Sequence, residues 1–379
     1  MERVADLVTY RGAQILELAT LMYPDKDDYH WNNLGQDYAL LGQYEKAQKA
    51  FLRSVARPGR RNSLTLHNLA WNYINLGRFP EAKATLETAI SEGKESAEIH
   101  RTLYRLGSLE GDAVATTRHA TWVDEHPDRD GMSAIRVTEA CFLGQFRKSR
   151  RLLEDYVLRL EQETQNEVAA EELTRHAWQE AVAGNREMAR AFARRGMEKP
   201  QAGTRTRIGA ACALAASGEV EEANRIAREL SREYPGGTLI QGLNLPTVRA
   251  LEALWQGRPQ PAVESLRPTL RFGPQPVAVA GRSQSSPNYV RGLAFLAMKR
   301  PEEAAAEFRA ILGNPGRSLS WHSIEYPAAL VGLARAKAQT GDVAGARQSY
   351  ERFLELWREA DPDIPLLQEA QAEYGALQN

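Results

Sequence analysis

The sequence predicts an all-α protein, a solenoid of stacked helix hairpins, and three observations carry that prediction. The stretch "WNNLGQDYALLGQYEKAQKAF", residues 31–51, puts Trp31, Leu34, Tyr38 and Leu41 at helical spacing, breaks at Gly42, and resumes an apolar stripe with Tyr44, Ala47, Ala50, Phe51 and Val55. The stretch recurs: "LHNLAWNYINLGRFPEAKATLETAI" repeats it 35 residues on, with Leu69, Ala70, Tyr73, Gly77, Ala82, Leu86 and Ala89 in matching places. Third, the turn positions Gly42, Gly77, Gly111, Gly144, Gly184, Gly218, Gly257, Lys299 and Gly341 are each followed five residues later by a small residue: Ala47, Ala82, Thr116, Ser149, Ala189, Ala223, Ala262, Ala304 and Ala346. The turns define the register, so the small residues test it independently.

The elements follow in order. Residues 1–25 carry a helical stripe of Val4, Leu7, Ile15, Leu16, Leu18 and Leu21, read either as a capping helix or as a half repeat whose natural polypeptide, or its ancestor, continued upstream. Residues 26–358 hold about nine hairpins. Gly35, inside the first helix, costs about 0.5 to 1 kcal/mol relative to alanine, so a neighbouring backbone is expected where its side chain would sit. The third copy departs from the pattern, with Tyr104 in place of Gly35 and Thr116 in place of Ala47. A longer loop rich in proline, glycine and serine spans the region near 267–288. Residues 359–379 close the chain with a helix capped by Asp363, with Pro365 in its first turn and Leu366, Leu367, Ala370, Tyr374 and Leu377 on one face.

A solenoid buries one continuous core between neighbours, so 379 residues need no second domain. The formal net charge of −1 excludes binding driven by bulk charge to nucleic acid or an anionic membrane. Cys141 and Cys212 fall outside any CxxC spacing and read as small core residues. There is no apolar run of membrane-spanning length and no signal-peptide pattern, so the default expectation is a cytoplasmic chain. Neither "HPDRDG" from His126 nor "RFG" from Arg271 has the companions a kinase needs, and "GRSQS" around Ser283 lacks the second glycine of a nucleophile elbow. The seven histidines form no HExxH or Cys/His cluster and read as scattered surface or groove residues. The run "RKSRR", Arg147 to Arg151, reads as a solvated face, and Trp178 and Trp255 as packing residues. No catalytic residue, cofactor or metal is expected.

The copies resemble the tetratricopeptide repeat, a hairpin of about 34 residues with an early aromatic, a Leu-Gly pair, further aromatics around a later alanine, and a closing proline. The first copy matches with Trp31, Leu34, Gly35, Tyr38, Ala47 and Phe51; the sixth keeps Ala223 and Pro235, and the eighth Gly292, Phe295, Ala304 and Phe308. The resemblance runs from about Asp28 to Trp357 and implies a right-handed α-solenoid with terminal capping helices, a motif nearly silent on function. The segment from Tyr289, with "LARAKAQTGDVAGARQSYERFLELWREADPDIPLLQEAQAEY", is similar to the C-terminal repeat region of bacterial eukaryotic-like serine/threonine kinases or winged-helix regulators. No kinase or winged helix precedes it in this sequence.

In such arrays the first helices of successive hairpins line a concave groove. That geometry assigns a peptide-binding set: Asn32 and Gln36 from the first copy, His67 and Trp71 from the second, Arg101 and Arg105 from the third. Amides, an aromatic and two guanidinium groups suit an extended acidic peptide or a terminal carboxylate. The set loosely resembles the carboxylate clamp of chaperone-binding repeats, although Asn32 stands where a lysine is expected; a hydrated polar groove without a dedicated ligand is the plainer alternative. Two functions follow: a noncatalytic scaffold binding a protein or peptide, or the sensory or recruiting portion of a bacterial serine/threonine kinase system whose kinase or winged-helix domain lies upstream or on a separate chain.

Overall fold

The computed structural model describes residues 15–18, 22, 28–40, 43–56, 61–126, 130–200, 202–237, 239–272, 287–313 and 323–378, and no strand occurs among them. Helices pair in chain order. The first three hairpins are α1 (Asp28–Leu40) with α2 (Tyr44–Ser54), α3 (Ser63–Asn75) with α4 (Phe79–Ser91), and α5 (Ala97–Glu110) with α6 (Ala113–Asp124). There follow α7 (Asp130–Phe142) with α8 (Phe146–Gln162), α9 (Asn166–Val182) with α10 (Arg186–Glu198), and α11 (Thr204–Ala216) with α12 (Val220–Glu233). A π-helical turn, Ile240–Asn244, leads into α13 (Leu245–Trp255), which pairs with α14 (Pro259–Ser265). Then come α15 (Pro287–Ala297) with α16 (Pro301–Leu312), α17 (Glu325–Gln339) with α18 (Val343–Leu356), and α19 (Pro365–Ala376). Most of the residues expected to form an N-terminal helix, Gly42, and most of the expected loop near 267–288 lie outside the described residues.

The turn register has a common backbone cause. Gly77, Gly111, Gly144, Gly184, Gly218, Gly257 and Gly341 all have positive φ, and so does Lys299 at 57°. A left-handed residue lets the last carbonyls of each first helix be closed by following amides, as Arg300 N does to Phe295 O at 2.9 Å. Lysine accepts this conformation at a cost of about 1 kcal/mol, because its Cβ crowds the following carbonyl.

The small residues after each turn mark close approach between paired helices. Ala47, Ala82, Ser149, Ala189, Ala223, Ala262, Ala304 and Ala346 have no accessible surface. Thr116 is the exception, and its hairpin closes differently. Gly107, three residues beyond Tyr104, supplies the gap: a methyl group there would lie 3.2 Å from Thr116 Oγ1. Gly35 departs from expectation in its neighbour. A Cβ at Gly35 would stand 2.6 Å from the Phe51 ring, so an aromatic side chain, not a backbone, fills the space.

The described residues divide into two compact units, one ending at Met132 and the other starting at Ser133. The first is built on Phe51, Leu66, Leu69, Ile74, Leu86, Ile99, Leu103 and Leu106. The second closes on itself. Beyond α18, Trp357 donates from Nε1 to Phe142 O at 2.9 Å, Asp361 N donates to Gly144 O at 3.0 Å, and Leu366 N donates to Ala183 O at 3.1 Å. Trp357 and Ala360 cover Gly144, and Pro365 covers Gly184. The expected cap of the last helix is corrected here. Ile364 occupies the N-cap position and makes no side-chain cap; Asp363 pairs with Arg147 at 3.0 Å, while Asp361 accepts from Arg147 N at 2.7 Å and so caps α8.

Candidate functional site

Spacing of i, i+3 and i+7 puts residues on one helix face, and the first helices of the first unit each present such a stripe. On α1 it is Tyr29, Asn32 and Gln36; on α3, Leu64, His67 and Trp71; on α5, Glu98, Arg101 and Arg105. Because α1, α3 and α5 pack in succession, the stripes form a three-by-three array. His67 stacks on Trp71 with ring centroids 6.2 Å apart, and the Arg105 guanidinium lies 6.0 Å from the Trp71 ring. His67 Nε2 is 3.1 Å from Thr102 Oγ1, and burial pushes the imidazole down to about 4, opposed by Glu98 and aided by Arg105 and Arg101. His67 is therefore neutral near pH 7. Arg101 pairs with Glu98 at 3.1 Å and lies against the start of α7, where a methyl group at Gly131 would stand 2.5 Å from its guanidinium.

Five of the six sequence-assigned residues are partly exposed on this face; Asn32 is not. It is buried, and its Oδ1 accepts from Asn68 Nδ2 at 3.0 Å, so it ties α1 to α3 and is not offered to a ligand. Sequence reasoning missed Tyr29 and Leu64, which are exposed at the lip of the array. Their signal was positional, three residues before Asn32 and His67, but an apolar residue in a first turn reads as core. On α9 and α13 of the second unit the equivalent stripes are hidden: Glu171, Thr174 and Trp178, and Thr247 and Leu251, are all buried. Trp178 Nε1 there donates to Glu325 Oε1 of α17 at 3.2 Å.

Two polar clusters escaped the sequence reading. Histidines 100, 119 and 176 are buried, not scattered on the surface, and "RKSRR" is not simply solvated. Arg150 donates to both Glu180 oxygens at 2.7 and 2.9 Å; Glu180 faces His176 Nε2 at 3.1 Å, and His176 Nδ1 lies 3.5 Å from Cys141 Sγ. Burial opposes charge on His176, but Cys141 and Glu180 hold it well above the usual imidazole range. Cys141, His176 and Glu180 have essentially no accessible surface, so no substrate atom reaches the thiol. The network satisfies a buried charge and joins α7, α8 and α9. A cleft of about 300 Å³ beside it is lined by Arg147, Arg150, Asn185, Arg186, Glu187 and Asp363, but its arginines are engaged by Asp363, Glu180 and the Trp255 ring. Neither Cys141 nor Cys212 forms a disulfide, and both are buried. Among the described residues, no group of three or more His, Cys, Asp or Glu side chains could hold a metal, and no helix is long and apolar enough to cross a membrane.

Paired helices with a left-handed turn and a small residue five positions on define a helical-repeat protein. Tetratricopeptide-repeat sequence models match three of these stretches, residues 31–57, 63–88 and 327–352. The chain is similar to the crystal structure of yeast Tom70 at 14% identity, with 98% of this chain and 92% of that chain covered and a TM-score of 0.42. It is also similar to the tetratricopeptide-repeat domain of P58(IPK) at 16% identity, covering 93% of this chain and 98% of that one, with a TM-score of 0.28. No curated protein sequence matches the chain.

Proposed function

We propose that the chain is a noncatalytic scaffold that holds an acidic protein segment along α1, α3 and α5. The observation that carries this reading is the array of His67, Trp71, Arg101 and Arg105, in which an aromatic stack and the wall at Gly131 hold two guanidinium groups at a partly exposed surface. Charge-assisted hydrogen bonds to such preset guanidiniums are about twice as strong as neutral ones, so the arginines dominate recognition. Changing Arg101 and Arg105 together to alanine should lower affinity for a captured native partner by about tenfold or more, measured at a temperature where melting curves show both proteins folded. Affinity should also fall as salt rises, because charge at a partly exposed face is screened. Calorimetric titration at two salt concentrations checks both; equal affinities for wild type and variant would remove the arginines from the site.

A second reading makes these repeats the recruiting portion of a bacterial serine/threonine kinase system. It rests on the sequence likeness of the segment from Tyr289 onward. Co-purification of the native chain with a kinase or a winged-helix regulator supports it, and its absence from several independent captures counts against it.

A further inference from the structure

Glu252 is a buried carboxyl beside two cations. It lies on α13 with 6% of its surface exposed, and its Oε1 has no hydrogen-bond partner. An oxygen left in this way costs stability, so it needs a physical explanation. Arg249 stands three residues before it on the same face of α13, and the packed neighbour α12 presents Asn224 and Arg228, four residues apart. Both arginines are exposed, and neither enters an ion pair among the described residues. On the flank of α12, Arg225 is neutralised by Glu229 at 3.1 Å. Along the same face, Arg232 lies about one turn beyond Arg228 and Glu221 about two turns before it. Burial drives the Glu252 carboxyl up to about 7, against the pull of Arg249, Arg228 and the Asn224 amide, and no other carboxylate among the described residues acts on it. With Glu252 ionised, these three charged groups sum to one positive charge; with it protonated, they sum to two.

We propose that Arg228 and Arg249 form an oxyanion-binding notch at the junction of α12 and α13, in which Glu252 is a built-in competitor whose protonation releases both guanidiniums to a tetrahedral dianion, a sulfate or a phosphoryl group. Two guanidinium forks offer parallel N–H pairs to several oxygens at once, and two positive charges match a dianion better than a single carboxylate. The notch belongs to the second unit and stands independently of the array on α1, α3 and α5. Anion binding and proton uptake are linked: an anion held beside Glu252 favours its neutral form, and the neutral form in turn binds the anion more tightly. Affinity therefore rises as pH falls through about 7.

The test titrates the full chain with sulfate at about pH 8.5 and about pH 5.5, either side of the Glu252 transition, with ionic strength held constant so that screening does not change. Sulfate keeps its double charge across this range, whereas a phosphate monoester titrates near about pH 6. The Cζ resonances of Arg228 and Arg249, followed by carbon-detected NMR, should shift saturably, with about tenfold tighter binding at the acid end. Glu252→Gln, neutral throughout and of the same shape, should bind at both pH values as the wild type does at the acid end. Arg228→Ala should weaken the binding reported at Arg249 by about tenfold, measured where melting curves show the variant folded. No saturable shift in the wild type at the acid end, a pH dependence undiminished in Glu252→Gln, or an unchanged affinity in Arg228→Ala overturns the proposal. Inorganic phosphate and a Gly-Ser peptide carrying one phosphoserine, each competed against sulfate, separate the sources. Displacement at lower concentration by the peptide assigns the notch to a phosphorylated partner, and the reverse order assigns it to a free oxyanion; either supports the site.

Discussion

Gly35 and the Phe51 ring show how one missing side chain fixes a helix pair. The ring lies where a Cβ would be, and the same device recurs at Phe308, whose ring lies against both Gly292 and Gly332. Phe308 thus locks α16 onto its own partner, α15, and onto α17 of the next hairpin. Gly35→Leu should destabilise the protein by about 1 to 3 kcal/mol through overpacking, since Phe51 is buried and has no free space to enter. A chemical denaturation curve checks this, and an unchanged midpoint would show that the ring repacks freely. The mid-helix glycine was legible in the sequence as a tight contact; the identity of the neighbour was not, because which atom fills a gap depends on helix rotation. Gly107 was illegible for the same reason, its helix having shifted the close contact by three residues relative to Gly35.

The α5/α6 hairpin carries a titratable device at the scale of an element. His100 Nδ1 lies 2.9 Å from His119 Nδ1, and Trp122 stacks between His100 and His126 at 3.9 and 3.6 Å. Burial, then Arg118, His100 and Lys83, push His119 down to about 4, with Asp112 opposing; burial also lowers His100, with Glu95 opposing. Both are depressed below the unfolded value of about 6.5, so the unfolded chain takes up protons first as pH falls. Stability is complete above about pH 6.5 and is lost progressively toward pH 4, with His119 alone contributing on the order of 2 to 3 kcal/mol. His67 titrates in the same window. Thermal melts between pH 7 and 4 should show the decline, and His119→Gln should flatten it; an identical pH profile for the variant would remove His119 as the cause. The sequence hid this cluster because His100 and His119 come from two helices and share no motif spacing. Hairpin folding alone brings them together.

At the scale of the whole molecule, the second unit is closed by residues 357–366 lying over the turns at Gly144 and Gly184. Asp361 accepts from Arg147 N at the α8 terminus, so Asp361→Ala removes a cap worth about 1 kcal/mol and loosens the closure. Hydrogen exchange should speed up at the amides of Arg147 and Leu366 while Ile226, in the middle of α12, keeps its rate; unchanged exchange at Leu366 would show that the closure does not depend on Asp361. The sequence by itself determined the helix hairpins, their register and their left-handed turns, down to Lys299 standing in for glycine, because periodicity, turn conformation and close-packed small residues are local properties repeated along the chain. It also placed Arg101 and Arg105 on one face of α5, since that follows from spacing within a helix. Only the tertiary structure decided that Asn32 is tied to Asn68, that Asp361 caps a helix far away in sequence, and that the stripes of α9 and α13 are buried while those of α3 and α5 stay accessible. Those outcomes depend on contacts between elements distant in sequence, such as Trp178 of α9 with Glu325 of α17, which the sequence of any one repeat does not specify.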